Sequence, residues 1–152
     1  MKKYKPKNEQ TMKTTETLKT LAATRRNAID TASILYTIAK QETHPTLQLE
    51  RRQASDRHMH FARGIQTAIF EIHEMHTDRA TELIRCLKYI AKKFEKNGYD
   101  ERLAGHLDIA ATYIGKATGI RYAAQLLADE NGIDVDFDII HYNEPLQEGG
   151  EK

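Results

Sequence analysis

Apolar residues recur at three- and four-residue steps through most of this chain, and four stretches carry the repeat. Over residues 15–40 the apolar positions are Leu18, Leu21, Ala22, Ala28, Ile29, Ala32, Leu35, Tyr36 and Ala39. They fall on one stripe and predict an amphipathic helix. The run Gln41-Glu42-Thr43-His44-Pro45 ends it, because proline disfavours helix in the residue before it and suits the first turn of the next. A second helix, starting at Pro45 or Thr46, carries Ala54, His58, Phe61, Ala62, Ile65, Ala68, Ile69, Ile72 and Met75. A third stripe is Ala80, Leu83, Ile84, Leu87, Ile90, Ala91 and Phe94, and Asn97-Gly98 reads as its left-handed stop. Thr77-Asp78 favours a break between the second and third helices. One continuous helix is the alternative, since neither Gly nor Pro occurs between Ile65 and Asn97. A fourth helix is predicted after Asp100 as N-cap, ending at Asn131-Gly132.

The fourth helix has two apolar lines. Leu103, Leu107, Ala110, Ile114, Ala117 and Ala124 form the main one; Ala111, Gly115, Gly119 and Ala123 form a second at four-residue steps. Each glycine costs a helix about 1 kcal/mol relative to alanine, so close approach of a neighbouring backbone is the expected compensation. Four amphipathic helices with short connections predict an all-α, antiparallel four-helix bundle.

The period changes to two at Ile133-Asp134-Val135-Asp136-Phe137-Asp138-Ile139-Ile140. Such alternation predicts an extended, half-buried strand, with Ile133, Val135, Phe137 and Ile139 facing one way and Asp134, Asp136 and Asp138 the other. A lone strand leaves backbone N–H and C=O groups unpaired, so the segment is expected to pair with a second copy, bind a protein partner, or lie across its own helices. The predicted organisation is a disordered basic N-terminus (1–14), a helical bundle (15–132), an extended segment (133–142) and a polar tail (143–152).

Charge sharpens this division. The net charge of +1 conceals opposite ends. Residues 1–19 hold six Lys against two Glu, and residues 129–152 hold eight acids against one Lys. Opposite ends of this kind attract one another, within a fold or between copies. With 39% hydrophobic and 30% charged residues and no apolar run of membrane-spanning length, no membrane association is expected. The basic start lacks an apolar signal core, and the single Cys86 excludes an intrachain disulfide; a cytoplasmic location is the expectation.

Candidate chemistry centres on the second helix, which carries His58, His60, Glu71, His73, Glu74 and His76. Histidine and carboxylate suit zinc, iron or manganese. His73 and His76 share a helix face, whereas His58 and His76 lie roughly 27 Å apart along the axis and cannot share an ion. Paired Glu-x-x-His motifs are absent, and His73-Glu74-Met75-His76 is one residue short of a zincin run. Glu71-x-x-Glu74 resembles the first half of the Mg²⁺-holding motif of the all-α nucleoside triphosphate pyrophosphohydrolases. The second half, Glu-x-x-Asp, does not occur in residues 78–97. No cofactor is expected; a divalent metal on Glu71, His73, Glu74 and His76 is the alternative.

Lys88, Lys92, Lys93 and Lys96 make a basic strip on the third helix, and Arg25, Arg26, Arg51, Arg52, Arg57 and Arg63 add charge elsewhere. Phosphate contacts need such groups, but no helix-turn-helix, zinc finger or basic zipper accompanies them. Cys86 reads as a small hydrophobe at the bundle edge. Ser33 and Ser55 sit in no nucleophile elbow, and the tyrosines fall at packing positions. Lacking a complete catalytic set, the chain is expected to be a non-enzymatic, homo-oligomeric interaction or regulatory protein. A metal- or ligand-binding bundle enzyme and a nucleic-acid-binding protein are the alternatives.

Overall fold

The computed structural model describes residues 12–75 and 77–135. Four helices account for most of them: α1 (Thr15–Gln41), α2 (Pro45–Glu74), α3 (Ala80–Leu103) and α4 (Leu107–Glu130). They form an all-α bundle built from two antiparallel hairpins, α1 with α2 and α3 with α4. The hairpins join mainly through α2 on α4, while α1–α4 and α2–α3 touch little. The spatial order across the molecule is therefore α1, α2, α4, α3. Since α3 turns back on α2 and α4 turns back on α3, α2 and α4 run parallel where they meet.

The largest buried apolar side chains, Leu21, Ile65, Leu83, Leu87, Ile120 and Leu127, share one core with Ala68, Ala91, Ala117, Ala123, Ala124 and Ala128. Each large side chain removed from water contributes about 1.5–3 kcal/mol. The inner helix α4 is covered on two sides, by α2 and by α3, which explains its double line of apolar and small residues.

Helix ends follow local chemistry. Pro45 occupies the first turn of α2. The Gln48 side-chain amide donates to Ala39 O at 3.1 Å, satisfying a terminal carbonyl of α1. Between α2 and α3, the Thr77 hydroxyl accepts the Arg79 N–H at 3.1 Å and donates to Glu82 at 2.9 Å. α2 thus ends at Glu74 and α3 begins at Ala80.

The α3–α4 boundary corrects the sequence reading. α3 does not stop at Asn97-Gly98, and Asp100 is not an N-cap. The helix continues to Leu103, with Asp100 inside it bonded to Lys96 at 3.0 Å. Gly98 is buried against α4: a Cβ there would lie 2.9 Å from Ile114 Cγ1 and 3.3 Å from Ala110 O. It is a packing glycine. The left-handed turn falls at Gly105, φ +86°. Leu103 and Leu107, placed by their spacing on the fourth stripe, flank this turn and are exposed.

Of the basic N-terminal segment, residues 12–14 are described, and residues 12 and 13 are pinned. The Met12 N–H donates to Asp78 O at 3.2 Å, and Lys13 exchanges two 2.8 Å hydrogen bonds with the Asn131 side chain. Thr14 makes no side-chain cap for α1. That role passes to Glu130 at the end of α4, whose carboxylate accepts the N–H groups of Glu16 (3.0 Å) and Thr17 (2.8 Å) and the Thr17 hydroxyl (2.6 Å). Burial opposes the Glu130 charge, but the bonds from Thr17 and Glu16 and the nearby Lys13 ammonium outweigh it and hold the carboxyl below its usual range.

A folded-state pKa below the unfolded value means the stabilisation is complete above the unfolded carboxyl pKa and disappears as pH falls through the folded one. Glu130→Gln should cost about 1 kcal/mol at neutral pH. Its urea midpoint should converge with that of the parent protein in acid. Denaturation across a pH series measures this; an equal difference at every pH would remove the ionised cap.

Candidate interaction surface

The two glycines of the α4 small-residue line sit where α2 crosses. A Cβ on Gly119 would run into Phe61 O and lie 2.8 Å from Ile65 N; one on Gly115 would run into His60 Cβ. Ala123 is fully buried on the same line, while Ala111, a turn beyond, is exposed. The answering residue is Gly64 of α2, whose Cβ would strike the Lys116 carbonyl. Sequence reasoning missed Gly64; its signal was a glycine in mid-helix beside the buried Ile65. At the edge of this crossing, the His60 Nε2 lies 3.4 Å from Thr112 Oγ1, and Nδ1 has no hydrogen-bond partner among the described residues. Burial, then the Arg63 and Lys116 charges, lower the His60 pKa against the opposing pull of Asp56.

A buried ion pair was also missed. Glu95 and Arg121 form a two-pronged contact between α3 and α4, with the Arg121 Nη2 2.9 Å from Glu95 Oε1 and Nε donating to Oε2. The side chains are 3% and 16% exposed, respectively. Glu95 continues the buried line of Leu87 and Ala91 at four-residue steps, which was the available signal.

The alternating C-terminal segment is described only to Val135. Ile133 and Val135 are partly buried against the protein's own core, Asp134 is exposed, and residues 133–135 are not strand. The Ile133 N–H donates to Ala128 O at 2.8 Å, closing the end of α4. Asp136, Phe137, Asp138 and Ile139 lie outside the described residues.

The proposed metal residues scatter. Glu71 is half-buried and faces Cys86, whose Sγ lies 3.9 Å away. Burial and then the Glu71 charge and hydrogen bond raise the thiol pKa. His73 and Glu74 point to solvent, and His76 is outside the described residues. Among the described residues, no three of His, Cys, Asp and Glu gather as a metal would require. Lys92, Lys93 and Lys96 are exposed on the outer face of α3 and Lys88 is half-buried; Lys93 sits 5.6 Å from the Tyr89 ring.

The most distinctive surface is the end of the bundle where both hairpins turn. Around the α3–α4 turn, Leu103 and Leu107 are 60% and 64% exposed, with Tyr99 and Ile109 beside them in the chain. The α1–α2 turn lies at the same end, since both hairpins run the same way, and exposes Ile34, Tyr36, Leu47 and Leu49. The buried apolar residues of the outer half of α1 are Ala28, Ala32 and Ala39; Ser55 of α2 donates to Ala32 O at 2.7 Å. Small residues thus close that hairpin while larger ones face water. Among the described residues no helix is long and apolar enough to cross a membrane.

The chain matches no protein-family model, no curated protein and no solved structure.

Proposed function

We propose that this protein is a non-enzymatic helical interaction module that associates with a second copy of itself through the turn end of its bundle. The observation that carries the reading is the apolar exposure of Tyr99, Leu103, Leu107 and Ile109, matched on the other hairpin by Ile34, Tyr36, Leu47 and Leu49. Clusters of exposed large apolar side chains on a water-facing surface mark interaction sites.

The charge around this end favours a copy over a charged partner. Residues 40–52 hold Lys40, Arg51 and Arg52 against Glu42 and Glu50; residues 96–108 hold Lys96 and Arg102 against Asp100, Glu101 and Asp108. The signs balance, so an identical surface is not repelled, and a two-fold arrangement sets each patch against its equivalent. Several of the acids are already committed, Glu42 to Arg51 at 3.5 Å and Asp100 to Lys96. Apolar contact therefore remains as the driving term.

Sedimentation equilibrium tests this. The full chain is expected to sediment as a dimer, and the variant carrying Leu103→Ser and Leu107→Ser as a monomer of unchanged helicity, because neither leucine belongs to the core. A full chain that stays monomeric at high concentration, or a dimer indifferent to both substitutions, would refute the reading.

A further inference from the structure

We infer that the outer face of α3 is the docking surface for the chain's own acidic C-terminal segment, residues 136–152. α3 packs closely on one helix, α4, and its opposite side carries a cationic stripe. Arg85, Lys88, Lys92 and Lys96 recur at three- and four-residue steps, with Lys93 and the exposed Tyr89 beside them. The acids beside this stripe, Glu82 and Asp100, already pair with Arg79 at 3.7 Å and Lys96 at 3.0 Å.

The segment has the complementary chemistry. It holds Asp136, Asp138, Glu144, Glu148 and Glu151 against Lys152, and interleaves Phe137, Ile139, Ile140, Tyr142 and Leu146. Acids match the lysines; the apolar and aromatic residues match Tyr89 and the methylene stems of the lysines. An exposed ion pair alone contributes little, so a mixed apolar and ionic surface is the kind that holds an extended segment.

Its point of departure also fits. α3 and α4 are antiparallel, so α4 ends beside the start of α3, and Val135 packs on the core that Ala80, Leu83, Ile84 and Leu87 help to form. From there, 17 residues reach at most about 60 Å extended, against roughly 36 Å for the length of α3. The segment can run the whole stripe, and its covalent attachment places it there at an effective concentration in the millimolar range. This inference uses none of the apolar residues of the self-association proposed above, which lie at the turn end of the bundle.

Zero-length carbodiimide cross-linking of the full chain, read by mass spectrometry on an equal mixture of light and heavy isotopic protein, tests it. Expected are links between Lys92 or Lys93 and acids of residues 136–151, found only within chains of one isotope and reduced several-fold when Lys88→Glu and Lys96→Glu are introduced, which leave both reacting amines in place. Links of which half join a light chain to a heavy one would overturn the inference in favour of a second copy's segment. Links from the segment to other surfaces, or none to α3, would overturn it outright. Repeating the measurement with Leu103→Ser and Leu107→Ser in place separates the docked segment from self-association.

Discussion

Gly119→Ala should destabilise the protein by about 2 kcal/mol or more, although alanine is the better helix former by about 1 kcal/mol. The added methyl would meet backbone, Phe61 O and Ile65 N, not the far end of a flexible side chain. Main-chain atoms of a packed helix move only with the helix, so α2 and α4 must separate along their contact. Gly64→Ala meets the Lys116 carbonyl from the other side and should behave alike. Gly105→Ala supplies the contrast: open space surrounds it, and only its left-handed backbone resists, at a cost of about 1–2 kcal/mol. Urea denaturation of the three variants ranks them. If Gly119→Ala were as stable as the parent protein, the close approach of α2 and α4 would not exist as described.

Arg121→Met should cost about 3–5 kcal/mol, because it leaves the Glu95 carboxylate enclosed between α3 and α4 without its guanidinium. Replacing both partners, Glu95→Leu with Arg121→Met, should recover most of that loss, since no charge then remains to be desolvated. The pair is consequently weak evidence for stability and strong evidence for register: it fixes α3 against α4 at one position, 26 residues apart in sequence. A double-mutant cycle reads the coupling directly. Simple addition of the two single losses would show that the carboxylate and guanidinium act independently.

Much of the fold was legible in the chain. Period-3.6 stripes found the buried faces, as Leu21, Ala28 and Ala32 on α1 and Leu83, Leu87 and Ala91 on α3 show. Proline at 45 and the Thr77 hydroxyl set two boundaries by local chemistry. The third boundary misled because Asn97-Gly98 and Asp100 are stronger local signals than Ala104-Gly105-His106, and tertiary packing of Gly98 against Ile114 overrode them. Pairing of helices was not legible at all. A stripe states that a face is buried, not against what, so the choice of α2 rather than α1 as the inner partner of α4 rests on Gly64 meeting Gly119.

The candidate surface was least legible. Leu103 and Leu107 have the spacing of core residues, and only the position of the turn shows that they flank a loop in water. Conversely, Ile133 and Val135 have the pattern of an association strand, yet they pack on their own core because the end of α4 delivers them there. The histidines of α2 were conspicuous by type, but helical geometry distributes them around and along the axis.

The clasp of Glu130 and Asn131 on Lys13, Glu16 and Thr17 has a consequence for biosynthesis. Translation makes α1 before α4, so the groups that terminate α1 arrive only after more than a hundred further residues have been added. Until then its leading N–H groups have water alone for partners. The ring of contacts therefore shuts only once α4 has been made, and α1 gains its final anchorage from the last of the described helices.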